Sequence, residues 1–136
     1  QNKQHKIKFS VDENLQVFGV ETELRSACSN LIFNAINYCP EGSEIKIKWK
    51  EKINGAYFAV IDNGDGIDNK HLRRLTERFY RIEQGRSRAT GGSGLGLSIV
   101  KHVLHHHNST LQIESTLGQG SKFSFTLPSE LVADNP

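Results

Sequence analysis

Two glycine-rich segments downstream of an asparagine-bearing helix constrain the fold of this chain more than any other feature. The first segment is Asp62-Asn63-Gly64-Asp65-Gly66-Ile67, the second is Gly91-Gly92-Ser93-Gly94-Leu95-Gly96-Leu97, and the helix carries Asn30, Asn34 and Tyr38. Glycine tolerates positive φ and lets the backbone approach a ligand closely. Two such segments in one small domain therefore predict that two stretches of backbone contact a single ligand. The asparagine-bearing helix followed by the two glycine-rich segments, in this order along the chain, predicts a nucleotide site.

The glycine spacing excludes two common phosphate-binding motifs. The chain has no Gly-Lys-Ser or Gly-Lys-Thr ending, so it lacks a Walker P-loop. The glycines between Gly92 and Gly96 are spaced too tightly for a dinucleotide fingerprint, and no βαβ unit with a following acidic residue frames them. The predicted site therefore belongs to another class of nucleotide-binding fold.

Length and composition are those of one soluble globular domain that can bury its own core, with 136 residues, 24% charged and 36% hydrophobic. A net charge of +2 is too small to indicate nucleic-acid binding, and no apolar run reaches the roughly 18 residues of a membrane-spanning helix. The lack of a signal peptide and of any methionine predicts a fragment of a longer protein. Cys28 and Cys39 have no His or Cys at metal-ligand spacing, so we expect free thiols in a reducing, cytoplasmic setting.

Hydrophobic periodicity predicts an α+β domain, a mixed sheet with helices on one face. The expected strands cover residues 7–11, 44–50, 56–61, 111–113 and 122–127, and the expected helices cover 22–38, a short stretch from 69, and 95–107. We expect a half-buried first strand, with residues 15–18 pairing back on it, and Thr22 capping the first helix. Asn54-Gly55 predicts a type I′ hairpin, and residues 128–136 are expected to form a frayed tail.

The first long helix carries a polar stripe and an apolar stripe. At about 100° per residue, one stripe contains Asn30, Asn34, Asn37 and Tyr38, and the other contains Leu24, Cys28, Leu31, Ile32 and Ala35. The apolar stripe is expected to face the core, which leaves the polar stripe free to face a ligand. Amide oxygens of this kind are suitable ligands for Mg²⁺. The alternative is a solvated surface, since asparagine is common on surfaces.

These features resemble the Bergerat-type ATP-binding fold of histidine kinases, gyrase, Hsp90 and MutL, and most of all the catalytic domain of sensor histidine kinases. Residues 30–38 match the N box, 62–67 the G1 box, 77–81 the F box and 92–97 the G2 box. The residues around the last two boxes are similar to those of phosphate-regulon sensor kinases. The resemblance implies a single domain over 1–136, built as a two-layer α/β sandwich with a mostly antiparallel sheet. The core of this domain is expected to cover about residues 5–128, followed by a C-terminal tail at 129–136.

The resemblance also implies roles for the first two boxes. Asn34 would bind Mg²⁺ and Asn30 would support the phosphates, while Tyr38 would lie against the nucleotide. Asp62 would accept a hydrogen bond from the adenine amine, because an ionised carboxylate only accepts and would reject the guanine carbonyl. The residues expected to wall the ring are Gly64, Gly66 and Ile67. The alternative is that this segment is only a tight turn. Asn37, counted with the nucleotide-binding residues, stands where the family often has a basic residue.

The last two boxes are expected to hold the phosphates. The segment containing Gly92, Ser93, Gly94, Leu95, Gly96 and Leu97 leads into a helix, whose N-terminus is an anion site. By resemblance Phe79 anchors a lid, Tyr80 lies at the nucleotide, and Arg81 reaches the γ-phosphate as a catalytic residue beside Asn34. The family often has Phe in place of Thr76. Residues 81–90, which are rich in arginine and poor in apolar side chains, are expected to form a mobile loop.

The resemblance implies a protein-histidine kinase domain that binds ATP with Mg²⁺ and passes the γ-phosphate to a histidine. No His-Glu-x-x-x-Pro-like segment is present, so the acceptor is expected on a separate dimerisation domain. A response regulator, a homodimeric full protein and a cytoplasmic position within an inner-membrane sensor are the further expectations. The alternatives are a non-catalytic nucleotide sensor and an ATP-hydrolysing clamp. The clamp needs a general base where this chain has Asn30.

A histidine cluster near the end of the second long helix also raises a metal hypothesis. It contains His102, His105, His106 and His107. No carboxylate lies beside these residues in the sequence, and a histidine at a helix C-terminus suits the helix dipole. The sequence therefore favours a structural role for the cluster.

Overall fold

The computed structural model describes residues 5–72, 74 and 96–133. In chain order the elements are β1 (Lys6–Val11), α1 (Glu21–Tyr38), β2 (Glu44–Lys52), β3 (Gly55–Asp62), α2 (Asn69–Leu72), α3 (Gly96–His106), β4 (Gln112–Thr116), β5 (Gly120–Pro128) and a 3₁₀ helix (Ser129–Leu131). The predicted strands and helices are therefore present at the expected places.

The five strands form one sheet in the order β1-β2-β3-β5-β4. Only β1 and β2 run parallel, and the other neighbouring pairs are antiparallel. Helix α1 contacts α3, β2 and β3, so the long helices cover one face of the sheet. This arrangement confirms the predicted two-layer α+β fold with a mostly antiparallel sheet.

The core lies between the two layers and follows the alternation of the strands. On β2, Ile45 and Ile47 are buried while Lys46 is exposed, as expected for a sheet with one wet face. Helix α1 contributes Ala27, Leu31 and Ala35, which share one helix face because they are four residues apart. The largest fully buried side chains are Phe125, Leu31, Ile45, Leu104, Leu127, Val60 and Val100.

Strand β1 is more exposed than the sequence predicted. Ile7, Phe9 and Val11 keep 40%, 69% and 44% of their surface accessible, so the strand is not half buried. Its apolar side chains point towards the helix layer, because they pair in register with the buried side of β2. However, β1 is an edge strand, and a groove of about 520 Å³ separates it from α1. The groove lies between Phe9 and Val11 on one side and residues of α1, including Cys28, on the other.

The segment after β1 pairs with the C-terminal residues and not with β1. Val17 forms a bridge with Val132, and the Phe18 amide donates to the Leu131 carbonyl at 2.7 Å. The Ala133 amide donates to the Gln16 carbonyl at 2.8 Å. Both expectations for these regions were therefore wrong: residues 15–18 do not pair back on β1, and residues 129–133 are docked and not frayed. The docking buries part of Leu131 and Val132 against the core.

Two local expectations were also wrong because tertiary contacts override them. Helix α1 begins at Glu21 after Val20, with no side-chain cap, so Thr22 is not the N-cap. The hairpin loop is not type I′, which needs positive φ at both central residues. Among the described non-glycine residues only Asn108 has positive φ, so Asn54 does not meet that need. Gly55 has φ 144°, and a Cβ there would lie 1.8 Å from the Leu127 carbonyl oxygen, so close packing against β5 leaves no room for a side chain at this position.

Candidate nucleotide site

Asp62 is the last residue of β3 and begins the candidate site. Its Oδ1 accepts a hydrogen bond from the Gly64 amide at 2.9 Å, two residues further on. This Asx-type turn holds the carboxylate in one orientation. The other oxygen, Oδ2, is not part of this turn. The half-buried carboxylate can therefore accept a hydrogen bond from a ligand amine.

The loop that follows Asp62 is anchored on both sides. On the β2 side, the Asn63 amide donates to the Glu44 carbonyl at 3.2 Å, and the Glu44 amide donates to Asn63 Oδ1 at 2.8 Å. On the β4–β5 side, the Gly118 amide donates to the Asp65 carbonyl at 2.6 Å. These contacts give the loop a defined shape within the fold, beyond what a solvent-exposed turn would have.

The protein's own packing leaves little room for a side chain at the glycines of this loop. A Cβ at Gly64 would lie 3.0 Å from Cys39 Sγ. Gly66 has φ 77°, and a Cβ there would lie 2.2 Å from the Thr116 carbonyl oxygen. Both glycines thus let the loop approach neighbouring protein atoms closely. These contacts explain the presence of glycine at the two positions without a ligand close to the backbone.

Helix α1 brings the asparagine stripe to the start of α3. The Asn30 side-chain amide donates to the Ser26 carbonyl at 2.9 Å, one turn earlier. Its Oδ1 then lies only 3.2 Å from the position of a Cβ built on Gly96. The N box and the end of the G2 box therefore lie close to each other.

The other residues of the polar stripe lie on the same helix and are all partly exposed. Asn34 and Asn37 are half buried, and Tyr38 is 37% exposed. The apolar stripe faces the core as expected, with Leu31 and Ala35 buried and Leu24, Cys28 and Ile32 packed against the core cluster. Ala27, which is fully buried, was not among the residues predicted for this stripe.

Several predicted site residues lie outside the described residues. They are Phe79, Tyr80, Arg81, Gly92, Ser93, Gly94 and Leu95, together with the expected mobile loop at 81–90. Gly96 and Leu97 are described, and both are half buried in the first turn of α3. The F box therefore remains a prediction, and so does most of the G2 box.

Two residues beside the site were not predicted from the sequence. Cys39 is buried next to Gly64, and Ser115 on β4 accepts a hydrogen bond from the Ile67 amide at 2.7 Å. Ser115 lies near the end of β4, beyond the strand predicted at 111–113 and just before the turn that leads into β5. Since the pairing of β4 and β5 brings this turn to the end of β3, the relevant signal was the sheet order, which periodicity does not contain.

The histidine cluster makes protein contacts. His106 Nδ1 lies 2.9 Å from Glu23 Oε1 on α1, and His107 Nε2 accepts a hydrogen bond from the Val20 amide at 3.1 Å. No carboxylate lies beside the histidines in the sequence, but the fold brings the Glu23 carboxylate of α1 next to His106. Both contacts connect the end of α3 to the beginning of α1.

Comparison with known proteins identifies the family. Residues 19–131 match the family described as "Histidine kinase-, DNA gyrase B-, and HSP90-like ATPase". The chain belongs to this ATPase family. Membership implies ATP binding, and it confirms the resemblance predicted from the sequence boxes.

Individual relatives are sensor histidine kinases. The "Phosphate regulon sensor protein PhoR" of Haemophilus influenzae is 52% identical over 128 residues, which cover 94% of this chain. The chain spans 30% of that relative's length. The "Mycobacterial sensor histidine kinase MprB" structure superposes with a TM-score of 0.78 at 29% identity, covering 91% of this chain and 83% of that one. Full-length ShkA, solved in complex with AMPPNP, superposes with a TM-score of 0.79 at 26% identity, covering 97% of this chain and 27% of ShkA.

Proposed function

We propose that this chain is the catalytic domain of a sensor histidine kinase that binds ATP with Mg²⁺ and donates the γ-phosphate to a histidine on a separate dimerisation domain. The proximity of Asn30 to Gly96 carries the proposal. It brings a neutral amide to the first turn of α3, where the phosphates are expected. An amide cannot take a proton from water, so this position favours phosphoryl transfer over hydrolysis by a general base.

Asp62 is proposed to read the adenine ring. Oδ1 is held by the Gly64 amide, which leaves Oδ2 to accept a hydrogen bond from the exocyclic amine. Gly64, Gly66 and Ile67 would form the adjacent wall. The anchoring of this loop to Glu44 and to the β4–β5 turn supports the assignment, because a rigid wall reduces the ordering cost of binding.

Asn34 is proposed as the Mg²⁺ ligand of the domain. It follows Asn30 by four residues on α1, so both lie on one helix face. An amide oxygen is a hard donor of the kind that Mg²⁺ accepts beside phosphate oxygens and water. The ion would neutralise charge that develops on the transferred phosphoryl group. Asn37 and Tyr38 complete the proposed helix contribution, and Arg81 is proposed to contact the γ-phosphate.

The full protein is proposed to act in phosphate-regulon signalling, as the name of the PhoR relative indicates for that protein.

In the proposed transfer step, a ring nitrogen of the acceptor histidine attacks the γ-phosphorus, the bond to the β–γ bridging oxygen breaks, and ADP leaves. The partners would be its own dimerisation domain, within a homodimer, and a response regulator. An inner-membrane location of the full protein is part of the same proposal. No helix within residues 5–72, 74 and 96–133 is long and apolar enough to cross a membrane.

The test uses ATP labelled at the γ-phosphate. The chain alone should bind ATP and acquire no label, whereas adding the dimerisation hairpin of the same protein should give an acid-labile, base-stable label on the hairpin. A hairpin whose acceptor histidine is replaced by alanine is the control and should stay unlabelled. Label on the isolated chain, or hydrolysis without transfer when the hairpin is present, would contradict the proposal.

A further inference from the structure

Ser115 makes an unusual set of contacts next to the proposed adenine wall. Its Oγ accepts a hydrogen bond from the Ile67 amide at 2.7 Å and donates to the Gly120 carbonyl at 2.9 Å. The same oxygen lies 2.8 Å from Ser121 Oγ. Since Ser115 directly opposes Ser121 in the β4–β5 pair, the hydroxyl is held by the sheet itself.

This hydroxyl connects the sheet to the last residue of the Asp62 loop. The Ile67 side chain packs against the core, and its backbone amide is held by Ser115. The amide of Gly118, which lies in the turn between β4 and β5, donates a hydrogen bond to the Asp65 carbonyl at 2.6 Å. Gly120 also allows close contact here, because a Cβ on it would lie 2.1 Å from the Asp62 carbonyl oxygen.

We infer that Ser115 is a positioning residue of the nucleotide site, which holds the Ile67 backbone at a fixed distance from the Asp62 carboxylate. The inference rests on the proposed adenine wall. Without the hydroxyl, the Ile67 amide loses its hydrogen-bond acceptor and the loop that forms the wall becomes more mobile. A ligand must then restrict this motion when it binds. A preformed wall lowers the ordering cost of the complex, so the effect should appear in nucleotide affinity.

The experiment compares Ser115→Ala with Ser109→Ala. Ser109 is a matched control because its hydroxyl also donates to a β5 carbonyl, that of Thr126, at 2.7 Å. Both variants lose one serine-to-backbone hydrogen bond of similar length, but only Ser115→Ala also deprives the Ile67 amide of its acceptor. The measurements are the dissociation constants of ADP and ATP by calorimetry, the melting temperature, and hydrogen exchange of the Ile67 amide by NMR.

Ser115→Ala should weaken ADP and ATP equally, by roughly tenfold, and speed exchange at Ile67. Ser109→Ala should lower the melting temperature by less than Ser115→Ala, because it loses fewer hydrogen bonds, and should leave both affinities unchanged. Ser115→Thr, which retains the hydroxyl, should restore most of the affinity. This pattern separates positioning from a general loss of stability.

Equal affinities in Ser115→Ala and Ser109→Ala would overturn the inference, and so would failure of Ser115→Thr to recover affinity. Asp62→Asn is measured in parallel to test the proposed site itself. Weaker binding in Asp62→Asn with unchanged binding in Ser115→Ala would reject the role of Ser115 alone. Unchanged binding in both variants would reject the adenine wall as well.

Discussion

His107 Nε2 accepts a hydrogen bond from the backbone amide of Val20 at 3.1 Å, which joins the end of α3 to the residue before α1. The ring is buried, and its Nδ1 lies 2.8 Å from the Val103 carbonyl. Because Nε2 accepts, Nδ1 carries the proton in the neutral ring and donates to that carbonyl. Helix α1 has no side-chain cap, so this contact satisfies an amide at its entrance.

Replacing His107 by alanine should destabilise the domain by about 1–3 kcal/mol, because the Val20 amide is left without its acceptor. Urea denaturation of both proteins measures the difference. His105→Ala is the control, since His105 is an exposed neighbour in the last turn of α3 and should change stability by less than about 0.5 kcal/mol. Equal effects of the two substitutions would show that the contact contributes nothing specific.

Asp62→Asn should weaken adenine nucleotides by on the order of 1–3 kcal/mol, because a charged acceptor is lost from a hydrogen bond to the ring. Calorimetry with ADP measures the change. Asp65→Asn is the matched control: it removes the same charge from an exposed position whose backbone carbonyl, and not its side chain, makes the observed hydrogen bond. A similar loss in both variants would point to a general charge effect and against ring recognition.

Asn34→Ala should abolish the Mg²⁺-dependent part of ATP binding and the transfer reaction while retaining most of the adenine affinity. The metal is tied to the phosphates and not to the ring, so the loss should be absent in EDTA. Titrations with Mg²⁺ and with EDTA measure the difference for ATP. Phe33→Ala, at an adjacent 60% exposed position of α1, controls for truncation of the helix surface. Equal Mg²⁺ dependence in Asn34→Ala and the parent would remove Asn34 from the metal shell.

Cys28 should make stability depend on alkaline pH. Burial raises the pKa of its thiol from the ordinary value of 9.0 to about 12. The folded state therefore holds the proton more tightly than the unfolded chain. Its contribution is fully present below pH 9 and is lost as the pH rises towards 12, at up to about 1.4 kcal/mol per pH unit.

The measurement is the free energy of unfolding of the parent and of Cys28→Ala, determined from about pH 7 to 11, a range that spans the ordinary thiol pKa. The difference between the two proteins should be constant below pH 9 and should shrink above it, because alanine has no proton to lose. Lysine and tyrosine side chains also titrate in this range, and taking the difference removes their common contribution. A difference that stays constant over the whole range would show that the Cys28 thiol is not held protonated.

Local sequence patterns were sufficient for the elements and for much of the candidate site. Hydrophobic periodicity located the strand whose isoleucines are buried, β2, and helical spacing separated the asparagine stripe from the apolar stripe of α1. The order of the boxes along the chain was enough to identify the ATPase family, which the match over residues 19–131 confirms. The stripes and the strand pattern depend on residues close together in one helix or strand, and each box is a short run of the chain, so these features can be read whatever the tertiary arrangement.

The tertiary structure decided which elements cover one another. It left Phe9 on an open edge strand and paired Val17 with Val132. It brought Asn30 close to Gly96, and it placed the Ser115 hydroxyl within hydrogen-bonding distance of the Ile67 amide. Each contact joins residues far apart in the sequence, and its existence depends on the sheet order and on helix packing. Periodicity contains no information about which distant partner an element meets, so the sequence by itself determined the parts and their chemistry, and the fold determined the contacts that position them.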